Sequence, residues 1–238
     1  MNDADLLVAR NLHAYYGSSH VLQGIDLAIG SGEVLALMGR NGMGKTTLLR
    51  TLLGLHSVRS GAVSIAGMVT TGFAPHRVAH LGVAYVPENR GVFPNLSVRE
   101  NLLMAARAGV DGRKEWRLER VLTAFPALAD RLAHRGDQLS GGEQQMLTIG
   151  RALMTNPRLL MLDEATEGLA PLVAQVIWRT IRAIRDAGIA TVIVDKNFAM
   201  LADLADRCVI LVKGRKVFDA SPQELAAQPG LRERFLGV

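Results

Sequence analysis

The stretch "EVLALMGRNGMGKTTLLRTLLGL", Glu33 to Leu55, decides the fold class. It opens on a continuous apolar run that stops at Gly39, the signature of a short strand buried on both faces. Gly39-Arg-Asn-Gly-Met-Gly44-Lys45-Thr46 follows and fits the P-loop pattern in full. From Lys45 onward the apolar spacing is helical, and Gly54 stands near the end as a stop signal. Strand, glycine loop and helix in that order predict an α/β core. Glycines let backbone N–H groups turn inward around phosphate oxygens. The helix N-terminus adds partial positive charge. Lys45 is then placed to reach the β- and γ-phosphates, and the Thr46 hydroxyl to ligate Mg²⁺.

Two further stretches bear on the same chemistry. In "LLMLDEAT", Asp163 closes an apolar strand and suits a Mg²⁺ ion held through water, while Glu164 can polarise an attacking water. "QLSGGEQQM", Gln138 to Met146, puts Ser140, Gly141 and Gly142 at the start of a predicted helix. The plain reading is a serine N-cap with a glycine turn. The functional reading is a second anion-binding helix end. One nucleotide has one γ-phosphate, which the P-loop already holds from one side. A second loop is useful if it covers a nucleotide bound to another copy, which makes ATP the glue of a dimer.

Outward from these motifs, "LLVAR" (Leu6 to Arg10), "VLQGIDLAI" (Val21 to Ile29), "GAVSIAG", "GVAYVP" and "IATVIVD" read as strands. "RCVILVKGRKVFDA" reads as a hairpin turning at Lys213 and Gly214. "LVAQVIWRTIRAIRDAG" is an amphipathic helix with Val173, Val176, Ile177, Thr180, Ile181 and Ile184 on one side. Ser97 with Glu100, and Ser221 with Glu224 after Pro222, predict capped helix starts. Between Glu88 and Pro157 the patterns are helical. The expected organisation is one domain over 1–238: a core of residues 1–87 and 158–238, and a helical subdomain of about 88–157.

The 238 residues, 49% of them hydrophobic, suffice for a substantial core. No apolar run reaches the length of a membrane span, and the N-terminus lacks a signal-peptide pattern, so a cytosolic protein is expected. Cys208 is the only cysteine, which excludes an intrachain disulfide, and sits in an apolar run as a core residue. The six histidines lack metal-ligand spacing, so no zinc site is expected. Net charge is +5, yet the arginines are spread along the chain and aromatics are few. That reads as solvated surface, with no nucleic-acid partner.

P-loop, "LSGGE" and "LLMLDEAT" in this order and spacing resemble the ATP-binding subunit of an ABC transporter, over essentially the whole chain. "YYGSSHVL", "GRNGMGKTT", "AYVPENRGVFPNLSVRENL" and "EATEGLAP" are most similar to the ATPase of branched-chain amino-acid importers. Urea and short-chain amide importers have very similar ATPases. The resemblance implies a P-loop ABC-type nucleotide-binding domain with an N-terminal antiparallel β part and an inserted helical subdomain. It implies ATP and Mg²⁺ as ligands, with Gly39, Arg40, Asn41, Gly42, Met43, Gly44, Lys45, Thr46 and Thr47 around the phosphates. Tyr16 would stack on adenine with Val21 beside the base, and Ser140, Gly141 and Gly142 would face a nucleotide across a dimer. Thr46, Glu88 and Asp163 would serve the metal, and Glu164, Lys45 and Lys196 the chemistry.

Three positions depart from the family pattern. Glu88 stands where most members have glutamine, although the importer subfamily often has glutamate, and a carboxylate still suits a hard cation. Ala170 replaces a frequent aspartate in the loop expected at the dimer interface, Glu167 to Pro171. Lys196 replaces the histidine that contacts the γ-phosphate; lysine carries a full charge but lacks the planar ring. Implied partners are a second ATPase subunit, identical or related, transmembrane permease subunits and, indirectly, a periplasmic substrate-binding protein. Val92, Phe93 and Leu96 are the expected permease contact. The implied location is the cytoplasmic face of the inner membrane. Soluble ABC ATPases of translation or DNA repair carry tandem domains or coiled coils, which this chain lacks. Glu164 argues against a nucleotide-binding regulatory subunit with little hydrolysis, a reading that Lys196 leaves open, and small-molecule kinases would not need "LSGGE".

Overall fold

The computed structural model describes residues 5–236. Two sheets build it. The first is antiparallel, in the order β2-β1-β4-β5, with β1 Asp5–Tyr16, β2 Ser19–Gly30, β4 Ser60–Ile65 and β5 Met68–Val69. The second runs β10-β9-β3-β8-β7-β6, with β3 Val34–Met38, β6 Val83–Val86, β7 Leu159–Asp163, β8 Ala190–Val194, β9 Arg207–Val212 and β10 Arg215–Ala220. Every pair in it is parallel except β9 with β10.

All five residues of β3, β7 and β8 are buried, because both faces of the parallel sheet are covered. The strand period of two assigns alternate side chains to two cores. Leu35 and Leu37 pack with Leu7, Leu12 and Leu22 of the antiparallel sheet and with Leu48 and Leu49 of α1 (Lys45–Leu52). Val34, Ala36 and Met38 pack on the other side, with Ile177, Ile181 and Ile184 of α7 (Pro171–Asp186) and with the helical segment. That segment lies between β6 and β7 and contains α3 Val98–Leu103, α4 Leu118–Ala124, α5 Pro126–Ala129 and α6 Gly141–Leu153. The capping boxes at Ser97 and Ser221 form as read.

The predicted elements are present, with differences of extent. Strands β1 and β2 run 12 residues each, longer than read, and their pairing shifts register between Ala9 and Leu12 where Asn11 has φ 45°. On α7, Trp178 joins the buried side, while Val173 and Val176 are only partly buried. Short elements without a sequence signal include β5, α2 (Pro75–His80), α8 (Phe198–Leu204) and α10 (Pro229–Phe235), which follows the capped α9 (Pro222–Ala226). Cys208 is fully buried in β9, and burial pushes its thiol up to about 11. Among the described residues no helix is long and apolar enough to cross a membrane.

Register sets the functional end of the sheet. Leu37 pairs with Val194, Val194 with Asp163, and Leu162 with Val86. The carboxyl ends of β3, β8, β7 and β6 therefore finish level. They deliver the P-loop, Asp195–Lys196, Asp163–Glu164 and Pro87–Glu88 to one edge, the place where open α/β sheets hold ligands.

Candidate active site

The P-loop leaves β3 at Gly39, whose φ is 135° and whose added Cβ would lie 2.4 Å from the Leu211 carbonyl oxygen, so only glycine fits. The loop tip is fastened to the β9–β10 turn. The Gly214 N–H donates to the Met43 carbonyl at 3.0 Å, and the Lys213 N–H points at the Met43 sulfur at 3.2 Å. Gly214 is also obligatory, because a Cβ there would meet the Val21 carbonyl oxygen at 1.8 Å. Met43 therefore braces the loop and packs on the core below it.

Lys45 is 5% exposed, and its ammonium donates to the carbonyls of Gly39 at 2.8 Å and Arg40 at 3.1 Å. Glu164 lies 3.8 Å from it. Burial lowers the Lys45 pKa, and the Glu164 and Asp163 carboxylates oppose that shift. Asp163 is fully buried, which raises its pKa, against hydrogen bonds donated by the Tyr85 hydroxyl at 2.9 Å and the Thr46 hydroxyl at 3.1 Å. The Thr46 bond joins two of the three predicted metal ligands directly. Tyr85, pushed far up by burial and by Asp163, stays a donor at any working pH.

A cavity of about 240 Å³ is lined by Val21, Asn41, Gly42, Gly44, Lys45, Thr46, Thr47, Glu88 and Glu164. Its lining combines glycine backbone, the Lys45 ammonium, the hydroxyl residues Thr46 and Thr47 and the carboxyls of Glu88 and Glu164, which suits a polyphosphate with a hard cation. Among the described residues no three His, Cys, Asp or Glu cluster as a metal cage. The oxygens of Thr46, Asp163 and Glu88 fit Mg²⁺, which binds through few carboxylates and completes its shell with phosphate and water. A larger hollow of about 450 Å³, lined by Ser31, Gly32, Gly188, Asp111, Arg113 and Arg158 at the amino ends of the strands, includes none of Lys45, Thr46, Asp163 or Glu164.

Glu164 turns the chain sharply, with φ 52° and its N–H on the Val194 carbonyl at 2.9 Å. Its carboxyl is pushed up to about 7, first by burial and then by a hydrogen bond with Glu167. Glu167 is shifted down by that same bond and by Lys196, whose ammonium it holds in an ion pair. Lys196 does not line the phosphate cavity; its side chain is 52% exposed and belongs to Glu167. Tyr16 is 49% exposed at the tip of the β1–β2 hairpin, beside His56 at a ring distance of 4.2 Å.

Ser140 caps α6, accepting from the Glu143 N–H at 3.3 Å while Glu143 accepts from the Ser140 N–H at 2.8 Å. Gly141 lies under the Arg90 guanidinium, and Gly142 against Val173 of α7. None of the three lines the P-loop cavity of its own chain. Sequence reasoning had not singled out Tyr85, His56, Arg90 or the Glu167–Lys196 pair. Tyr85 alone left a trace, as the polar tip inside the apolar run "VAYV" one strand from Asp163.

A strand–P-loop–helix unit beside a buried Asp163 and a base-like Glu164 defines an ATP-binding α/β domain. The chain belongs to the ABC transporter family, whose profile matches residues 22–167, and it is the ATP-hydrolysing component of such a transporter. It is 39% identical over 223 residues to the high-affinity branched-chain amino acid transport ATP-binding protein BraG of Pseudomonas aeruginosa, covering 94% of this chain and 96% of that one. It is 36% identical over 228 residues to the probable branched-chain amino acid transport ATP-binding protein LivF of Archaeoglobus fulgidus, covering 95% and 97%. A solved ATP-binding subunit of an ABC transporter superposes with a TM-score of 0.83 at 30% identity, over 95% of this chain and 94% of the other.

Proposed function

We propose that the chain is the ATPase of an importer for branched-chain amino acids, working as one of two ATP-binding subunits on a pair of permeases. The observation that carries the reading is the juxtaposition of Lys45, Thr46, Asp163 and Glu164 at one sheet edge, joined by the Thr46–Asp163 hydrogen bond. The importer class and its cargo rest on the likeness to BraG and LivF, which is nearly full-length in both chains.

The residues divide the work. The P-loop amides and Lys45 bind the β- and γ-phosphates. Thr46, Asp163 and Glu88 would hold Mg²⁺, which would supply charge neutralisation at the phosphates. Glu164, as the carboxylate, takes a proton from the attacking water as the water oxygen bonds to the γ-phosphorus. The bond from that phosphorus to the bridging oxygen breaks, giving ADP and phosphate. Lys45 balances the charge that collects on the leaving oxygen. Tyr16 stacks on adenine with Val21 beside it, and Lys196 leaves Glu167 to meet the γ-phosphate. Ser140, Gly141 and Gly142 cover a nucleotide held by the other subunit, an identical or related chain. The helical subdomain, residues 88–157, forms the second lobe. Its exposed Phe93, with Val92 and Leu96 that are only partly exposed, gives a permease helix an apolar seat a few residues beyond Glu88. A periplasmic binding protein delivers the cargo on the far side, and the ATPase sits on the cytoplasmic face of the inner membrane.

Glu164→Gln keeps the size of the side chain and removes the base. We expect turnover to fall by about 10²–10⁴-fold, with Mg-ATP trapping a dimer on size-exclusion chromatography. Hydrolysis at the parent rate would show that Glu164 is not the base.

A further inference from the structure

We propose that His56 is a positioning residue of the base platform: a bound adenine, the Tyr16 ring and the His56 ring form a three-layer stack. This rests on Tyr16 being the surface on which the base lies. Tyr16 ends β1, and the next residue, Gly17, already turns with φ 58°. Val21 follows on β2 and lines the phosphate cavity, so the hairpin tip stands at the mouth of the site. An aromatic ring that is 49% exposed on a hairpin tip has several rotamers open to it. Ordering such a ring at the moment of binding subtracts from affinity.

His56 removes that freedom. Its ring lies 4.2 Å from Tyr16, tilted by 34°, within the range of favourable aromatic pairs. The imidazole is itself fixed. Its Nε2 lies 3.0 Å from the Tyr15 carbonyl oxygen, an acceptor only, so Nε2 carries the proton and donates. Its backbone N–H donates to the Arg50 carbonyl at 3.1 Å, and the Leu55 N–H to the same oxygen at 2.8 Å. Further along, the Arg59 N–H donates to the His13 carbonyl of β1 at 2.8 Å. Arg50 belongs to α1, the helix that begins with Lys45 and Thr46. One helix therefore carries the phosphate-binding residues at its start and anchors the support of the base platform near its end. The partly buried ring beneath Tyr16 leaves the opposite ring face for a planar base, and it holds that face at a fixed distance from the phosphate loop.

Calorimetry on the full chain separates the base end from the phosphate end, using Mg-ADP and Mg-pyrophosphate as ligands. His56→Ala is expected to weaken ADP about three- to ten-fold, the range of one aromatic pair, and to leave pyrophosphate unchanged. The KM for ATP rises by the same factor while kcat is retained. His56→Phe keeps the ring and stays within about two-fold of the parent. Should the alanine variant fail to fold, His56→Gln, which keeps a donor and loses the ring, replaces it with the same expectation. If Tyr16→Ala weakens ADP and His56→Ala does not, His56 is a bystander and the platform stands. If neither does, the platform itself is wrong and the inference falls with it. Weakening of ADP and pyrophosphate alike means a disturbed phosphate loop and also overturns the proposal.

Discussion

Lys45, Glu164, Glu167 and Lys196 form a row of charges running from the buried phosphate loop to solvent, with cations at its ends and two hydrogen-bonded carboxyls between. Burial and Glu167 push Glu164 up to about 7, while Lys45 and Lys196 pull it down. A base works only when ionised, so turnover should rise with pH through about 7 and level off above it. Glu167→Gln removes the neighbour that raises Glu164, so this rising limb moves to lower pH. Lys196→Ala removes a cation that favours the ionised form, so the limb moves to higher pH. The same substitution should cut kcat about ten-fold or more if the ammonium meets the γ-phosphate during turnover, and Lys196→His should restore part of it. Measurement of kcat and ATP affinity across pH for the parent and these variants decides the matter. Equal values for Lys196→Ala and parent would make Lys196 only a counter-ion of Glu167.

The turn from Phe93 to Ser97 shows an element held by one side chain. Asn101 of α3 is fully buried; its amide nitrogen lies 3.0–3.1 Å from the carbonyls of Phe93, Leu96 and Ser97, and its oxygen accepts from the Phe93 N–H at 3.1 Å. Asn101→Leu keeps the volume and leaves those backbone groups without their partner. We expect a loss of about 2–4 kcal/mol, read as a lower Tm, and faster amide exchange across residues 92–97. An unchanged Tm would mean that the turn holds itself. No sequence pattern announces such a role, and this marks the boundary of what was legible. β3, β7 and β8 were readable because five buried residues end at a glycine or an acid. α2, α8 and β5 were not, being too short for a period to emerge and held by tertiary packing. Within the site, Lys45, Thr46, Asp163 and Glu164 were readable because each is fixed to a strand end by its neighbours in sequence. His56 and Tyr85 act on Tyr16 and Asp163 from 40 and 78 residues away, so only folding brings them in.

At the scale of the whole molecule, the two glycine-rich loops of one chain do not share a cavity. Ser140 is engaged as the cap of α6, Gly141 lies under Arg90 and Gly142 faces Val173, whereas the P-loop cavity is lined by the loop itself with Val21, Glu88 and Glu164. If both loops serve one nucleotide, they must come from different copies, and each copy then contributes half of two sites. This has a consequence for mixtures. Lys45→Ala disables the P-loop half, and Ser140→Arg fills the opposite half with a bulky cation while leaving the chain's own P-loop intact. Each variant alone should hydrolyse ATP at a small fraction of the parent rate. In an equimolar mixture, random pairing makes half of the dimers mixed, and each mixed dimer has one intact site. Activity should therefore recover to at most about a quarter of the parent value, scaling with protein concentration as dimers form. Sites complete within one chain would give no recovery at any ratio. Crosslinking would confirm that mixed dimers were present, and mixed dimers without recovered hydrolysis would rule out a site shared between identical copies.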